Sequence, residues 1–161
     1  MKKIIAAFDG LKYSESTRDY SIYLAKQTGT HLVGVFLDDS LYTSYKIYDL
    51  ITKEGVSEDI LKKYEAKDRA IRYAASKDFE KYCQKNGLEF TVHHDKNIAI
   101  QELKHESIYS DMLIINCKET FTHYKEKLPT HFIRDLLSDV QCPVLIVPEK
   151  YVPLKKVYLL Y

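Results

Sequence analysis

The chain has 161 residues, enough for one domain with a sizeable core and too few for two domains of ordinary size, so one domain plus a fragment is expected. Its 24 basic and 23 acidic residues leave a formal charge of +1, which gives no general attraction to nucleic acid or to an anionic membrane. Cys83, Cys117 and Cys142 are odd in number and form no CxxC pair, which argues against a zinc or redox centre and for reduced thiols in a cytoplasmic protein.

The opening "MKKIIAAF" holds an uninterrupted apolar run of only five residues before Asp9, too short for a signal segment or a membrane span, and reads as a buried strand. Asp9-Gly10 then leads into "SESTRDYSIYLAKQTG", where Thr17, Tyr20, Tyr23 and Leu24 recur at helical intervals. Ser14 is placed to cap this helix, and Gly29 to adopt the left-handed conformation past its end. A second strand, "HLVGVFL", is bounded by Thr30 and Asp38-Asp39. The segment from Ser40 to Val56 shows no clean period and is expected to be a long, partly ordered connection.

From Ser57 to Asn86, Ile60, Tyr64, Ile71, Ala74, Phe79, Tyr82 and Cys83 fall mainly three, four or seven apart, which predicts a long amphipathic helix ending at "NG". "LEFTVHH" alternates Leu88, Phe90 and Val92 with polar residues, the mark of a third strand. Asn97 is placed to cap a helix holding Ile100 and Leu103, and "DMLIIN" reads as a buried fourth strand. "HFIRDLLSDV" puts Phe132, Ile133, Leu136, Leu137 and Val140 on one stripe, and "CPVLIVP" is the fifth strand, set at a sheet edge by Pro143 and Pro148. Strands alternating with helices imply a parallel sheet covered on both faces. The final "KKVYLLY", residues 155–161, repeats the pattern of the opening strand. An apolar strand without a partner is adhesive, so residues 152–161 should leave the domain or pair with a neighbouring chain.

Asp9 stands at the carboxyl end of the first strand, where open parallel sheets place their ligand crevices, although an aspartate there also serves the turn alone. His93, His94, His105, His123 and His131 do not suggest a metal site, because the neighbouring strand residues His93 and His94 point to opposite faces. No nucleophilic triad can be assigned from spacing. Tyr42, Tyr45 and Tyr48 could pack under the long connection or face a partner; with only Lys46 and Lys53 beside them they do not form a nucleic-acid stacking surface.

The start "KKIIAAFDGLKYSES", the strand "DMLIIN" and the close "QCPVLIVPE" together resemble the universal stress protein family over residues 1–149. The resemblance implies a doubly wound, five-stranded parallel sheet of order 3-2-1-4-5 with helices on both faces, a Rossmann-like α/β domain. It also implies that residues 150–161 are a linker and the first strand of a truncated second copy, since members often occur as tandem pairs. Pairing through strand 143–148, with that second domain or in a homodimer, is implied as well.

By the same resemblance a nucleotide would meet Asp9, Leu37, Asn116, Lys118, Thr130 and His131. ATP-binding members carry Gly, two residues, Gly, nine residues, Gly, then Ser or Thr after the fourth strand. Here Asn116, Glu119 and Pro129 stand at the glycine positions and Thr130 at the hydroxyl; counted back from "CPVL", the last pair becomes Thr130 and His131. No glycine is present, and glycine is what lets backbone N–H groups approach phosphate. A Glu119 carboxylate about 4 Å from a phosphate oxygen would repel it by about 4 kcal/mol at an effective dielectric of ~20, roughly a thousandfold in affinity, unless it turned into solvent.

The expected function is therefore a non-catalytic regulatory or scaffold domain of the stress response, with a degenerate ATP site and no cofactor. The alternative is an ATP-binding domain with slow ATPase activity using Asp9 and the loop from Lys118 to His131.

Overall fold

A computed structural model of the chain describes residues 2–38, 43, 58–95 and 98–156. Strand β1 (Lys3–Asp9) runs into helix α1 (Glu15–Thr28), whose two ends are closed as the sequence predicts. Ser14 accepts the Thr17 backbone N–H, and Gly29 sits at φ 61°, ψ 34°, a conformation that a Cβ would strain. Next come β2 (His31–Leu37), α2 (Glu58–Lys85), β3 (Phe90–Asp95), α3 (Ala99–Ser107), β4 (Met112–Asn116), α4 (His131–Asp139) and β5 (Val144–Val147). The long connection, with Tyr42, Tyr45 and Tyr48, lies outside the described residues, as does Asn97; the residue at the α3 N-cap position is Ile98.

All five strands are parallel, in the order β3-β2-β1-β4-β5, with β3 and β5 at the edges. Alternation along β1 divides the core into two layers. Ile4, Ala6 and Phe8 pack with α1 and α2 residues such as Tyr20 and Phe79; Ile5 and Ala7 pack with Leu103 of α3 and Ile133 and Leu136 of α4. Asp9, in register with Leu37, continues the second series and so belongs to the α3/α4 face. His93 meets Glu106 on α3, while His94 stacks on Phe36 in the other layer, as strand alternation requires.

Three details depart from the periodic reading. On α2 the buried stripe runs through Asp68, Ala75, Ser76, Phe79 and Cys83, leaving Ala74 exposed, because one step along a helix turns a side chain by about 100°. The same step turns Leu137 of α4 outward, 48% exposed, while Leu136 is fully buried. The tail does not leave at Val152: the Tyr20 hydroxyl donates to the Val152 carbonyl (2.9 Å) and accepts its N–H (3.1 Å), and Tyr151 packs edge-on against Tyr20. Residues 157–161, the expected extra strand, lie outside the described residues. All three thiols are free; burial pushes Cys83 up to about 12 and raises Cys142 as well. Among the described residues no helix is long and apolar enough to cross a membrane.

Candidate functional site

The sheet order reverses between β1 and β4, and the carboxyl ends of these two strands open on the crevice where doubly wound folds hold ligands. Asp9 closes β1 and is 1% exposed. Its Oδ1 accepts the backbone N–H of Leu11 (2.8 Å) and of Lys12 (3.3 Å), which holds the turn into α1. Oδ2 is buried without a hydrogen-bond partner. Burial raises the Asp9 pKa, opposed by those N–H groups and by the charges of Lys12 and Arg72.

The loop from β4 to α4 bends at Phe121, at φ 50°, and buries that ring against Phe132 with centroids 4.5 Å apart. Each backbone N–H from Lys118 to Thr122 points at an acceptor of the same chain. Lys118 donates to Asn116 Oδ1 (2.9 Å) and Glu119 to the Asn116 carbonyl (3.2 Å). Thr120 and Phe121 both donate to Glu119 Oε1 (3.1 and 3.4 Å), and Thr122 donates to the Thr120 hydroxyl (3.3 Å). Side-chain and carbonyl oxygens of the chain itself thus take the N–H groups of this stretch, donors of the kind that bind anions when left free.

Glu119 has not turned into solvent, the escape open to it in the sequence; it is 6% exposed. Burial and the neighbouring Asp9 carboxyl push its pKa up to about 8. At the start of α4 a second carboxylate plays the same part. Glu126 Oε2 accepts the His131 backbone N–H (2.7 Å) and lies 2.9 Å from His131 Nδ1, contacts that lower its pKa and place a negative charge on the positive end of the helix.

Beside this loop lies a cleft of about 650 Å³, lined by Lys12, Ser14 and Glu15 from the start of α1, by Asn116 and residues 118–120 and 123–126 of the loop, and by Glu149 beyond β5. Of the six residues proposed from sequence, only Asn116 and Lys118 line it. Both are engaged: the Asn116 amide donates to Ser14 Oγ (3.0 Å), and the Lys118 ammonium lies 2.7 Å from Glu149. Asp9, Leu37 and Thr130 are buried. The Thr130 hydroxyl donates to the Glu119 carbonyl (2.6 Å) and accepts the Ile133 N–H (3.2 Å) as the cap of α4. His131 is exposed and turned to Glu126. The six residues therefore do not converge on one space.

Sequence reasoning missed Glu126 and Ser14 as parts of the site. An acid five residues before a helix start is a weak signal for the first. Ser14 was assigned only to its own helix, and its bond to Asn116 crosses 102 positions.

No protein-family model and no curated protein matches the sequence. Solved structures do match. A universal stress protein from Lactobacillus plantarum aligns with 91% of this chain and 97% of its own at 10% identity and a TM-score of 0.63. A protein of the universal stress protein family from Burkholderia pseudomallei gives 18% identity, 91% and 96% coverage and a TM-score of 0.58. A universal stress protein family protein from Arabidopsis thaliana, solved with AMP bound, gives 11% identity, 92% coverage of both chains and a TM-score of 0.56. At such identities the likeness is one of fold: the chain has the fold of the universal stress proteins.

Proposed function

We propose that this chain, which carries the universal stress protein fold, is a universal stress protein domain working as a non-catalytic regulatory or scaffold module, with a nucleotide site filled by its own side chains. One observation carries the reading: the Glu119 carboxyl group, in the second glycine position of the ATP motif, accepts the Thr120 and Phe121 N–H groups and lies buried beside Asp9. A phosphate arriving there would have to displace an acid already held by two N–H donors, with a second buried carboxyl group behind it. The Arabidopsis relative shows that the fold accepts an adenine nucleotide in another chain. Here the donors such a ligand would use are already taken.

The experiment is calorimetric titration of the purified chain with AMP and with ATP and magnesium. No micromolar site is expected for either. A micromolar constant that disappears in Asp9→Ala would overturn the reading in favour of a nucleotide-binding domain, and ADP release in the same sample would make it a slow ATPase. The scaffold reading also proposes a partner at the β5 edge, a second domain of the same type or a second copy of this chain. Ile146 on that strand is 38% exposed, and an edge strand has backbone groups to pair.

A further inference from the structure

Past β5 the chain does not extend the sheet. The Cys117 N–H reaches the Val147 carbonyl (2.8 Å), and the next residue, Pro148, has no N–H to add a further rung. Residues 148–152 turn instead onto α1, where Ser16, Tyr20 and Tyr23, spaced i, i+4 and i+7, share one face of the helix. The Ser16 hydroxyl donates to the Pro148 carbonyl (2.6 Å). The Tyr20 hydroxyl takes both backbone groups of Val152, donating to its carbonyl and accepting its N–H. Between these two anchors the Tyr151 ring packs on those of Tyr20 and Tyr23, with centroids 4.8 and 6.5 Å apart. Side chains of α1 thus do for this segment what a neighbouring strand does for β5.

Glu149 lies inside the same segment and lines the cleft, where its Oε2 stands 2.7 Å from Lys118 Nζ. The segment is therefore tied to α1 on one side and to a cleft-lining cation on the other. Neither tie is sealed from water: Val152 is 59% exposed, and the Lys118 and Glu149 side chains are both more than half exposed. Contacts of that kind open locally at small cost, without unfolding the domain.

We propose that residues 148–152 are a strap that regulates the cleft: docked on Tyr20, the strap holds Glu149 against Lys118; undocked, it withdraws that carboxylate and leaves the Lys118 ammonium to an anion entering from solvent. The strap rests on the reading of this cleft as the nucleotide site of the fold, closed by the chain's own groups, and adds to that closure a contact that can be released. An exposed ion pair contributes little, so the strap tunes anion affinity about two- to fivefold rather than switching it on and off.

The test uses the full chain, with inorganic pyrophosphate as the probe and the Lys118 and Thr120 backbone amides as NMR reporters, in the unmodified protein, Glu149→Gln, Tyr20→Phe and the double variant. Tyr20→Phe keeps the ring and removes the hydroxyl, so the Val152 amide should exchange with solvent deuterium about fivefold faster or more. Glu149→Gln should tighten pyrophosphate about two- to fivefold. Tyr20→Phe, which changes no charge, should tighten it in the same direction, and adding it to Glu149→Gln should gain nothing more, since the strap acts through Glu149. Ser16→Ala, which cuts the other anchor, gives a second route to the same result. Pyrophosphate that moves neither amide in any variant, equal affinities across the series, or an additive gain in the double variant would overturn the strap. The functional reading is judged separately, by ATP and magnesium with the unmodified chain: a micromolar site there would sink that reading, while the comparison among variants would still decide the strap.

Discussion

Replacing Thr130 by valine separates a hydroxyl that builds the loop from one kept for a ligand. Thr130 is 1% exposed, and its Oγ1 both donates to the Glu119 carbonyl at 2.6 Å and accepts the Ile133 N–H at 3.2 Å. Valine matches its shape and makes neither bond. Loss of the helix cap costs about 1 kcal/mol, and leaving the inward-facing Glu119 carbonyl without its donor costs about 1–3 kcal/mol more. Thr130→Val should therefore lose roughly 2–4 kcal/mol. Thr130→Ser keeps both bonds and gives up one methyl group, about 1 kcal/mol. Urea unfolding followed by circular dichroism reads the difference as a lower midpoint with an unchanged slope. A Thr130→Val chain within about 0.5 kcal/mol of the parent, or no weaker than Thr130→Ser, would refute the structural role and return the hydroxyl to ligand binding.

The raised pKa of Glu119 makes a pH prediction whose sign follows from proton linkage. Between the unfolded value of 4.5 and about 8 the folded chain holds a proton that the unfolded chain has lost, so stability should fall as pH rises through that window, by at most roughly 5 kcal/mol. Denaturation midpoints from pH 5 to 9 should show this fall in the parent and a much flatter profile in Glu119→Gln; identical slopes would contradict it. Gly34→Ala should cost about 1–3 kcal/mol by overpacking, because the new Cβ would lie 2.6 Å from Phe79 Cε1, and Phe79→Leu in the same chain should recover part of the loss on thermal melting. At the β5 edge, light scattering at high concentration should report a dimer that Ile146→Lys weakens; a monomer throughout would remove this edge as a contact between copies.

Periodicity makes the strands and helices legible in the sequence. Period two in β3, the apolar runs of β1, β2 and β4, and the Ser14 and Gly29 punctuation of α1 are local properties, and local backbone preferences agree with the final fold at each of them. Crossover handedness leaves few ways to arrange five parallel strands, and the resemblance to the universal stress proteins selects the order 3-2-1-4-5 among them. The missing glycines in the loop after β4 were equally plain, since absence of a residue type needs no structure to see it.

The fate of that loop could not be read in this way. Whether Glu119 faced a ligand, the solvent or the interior depended on Asp9, which reaches it only when β1 and β4 lie side by side. Ser14 and Asn116, and the Thr130 hydroxyl and the Glu119 carbonyl, likewise meet only across the folded crevice. Hydrogen bonds between residues 11 and 102 positions apart leave no periodic trace in the chain, because each depends on where the sheet carries its partner. The sequence by itself determined which elements form; the tertiary structure decided that the turn after β1 and the end of β4 with its loop satisfy one another, through Ser14 with Asn116 and Lys12 with the Thr122 carbonyl.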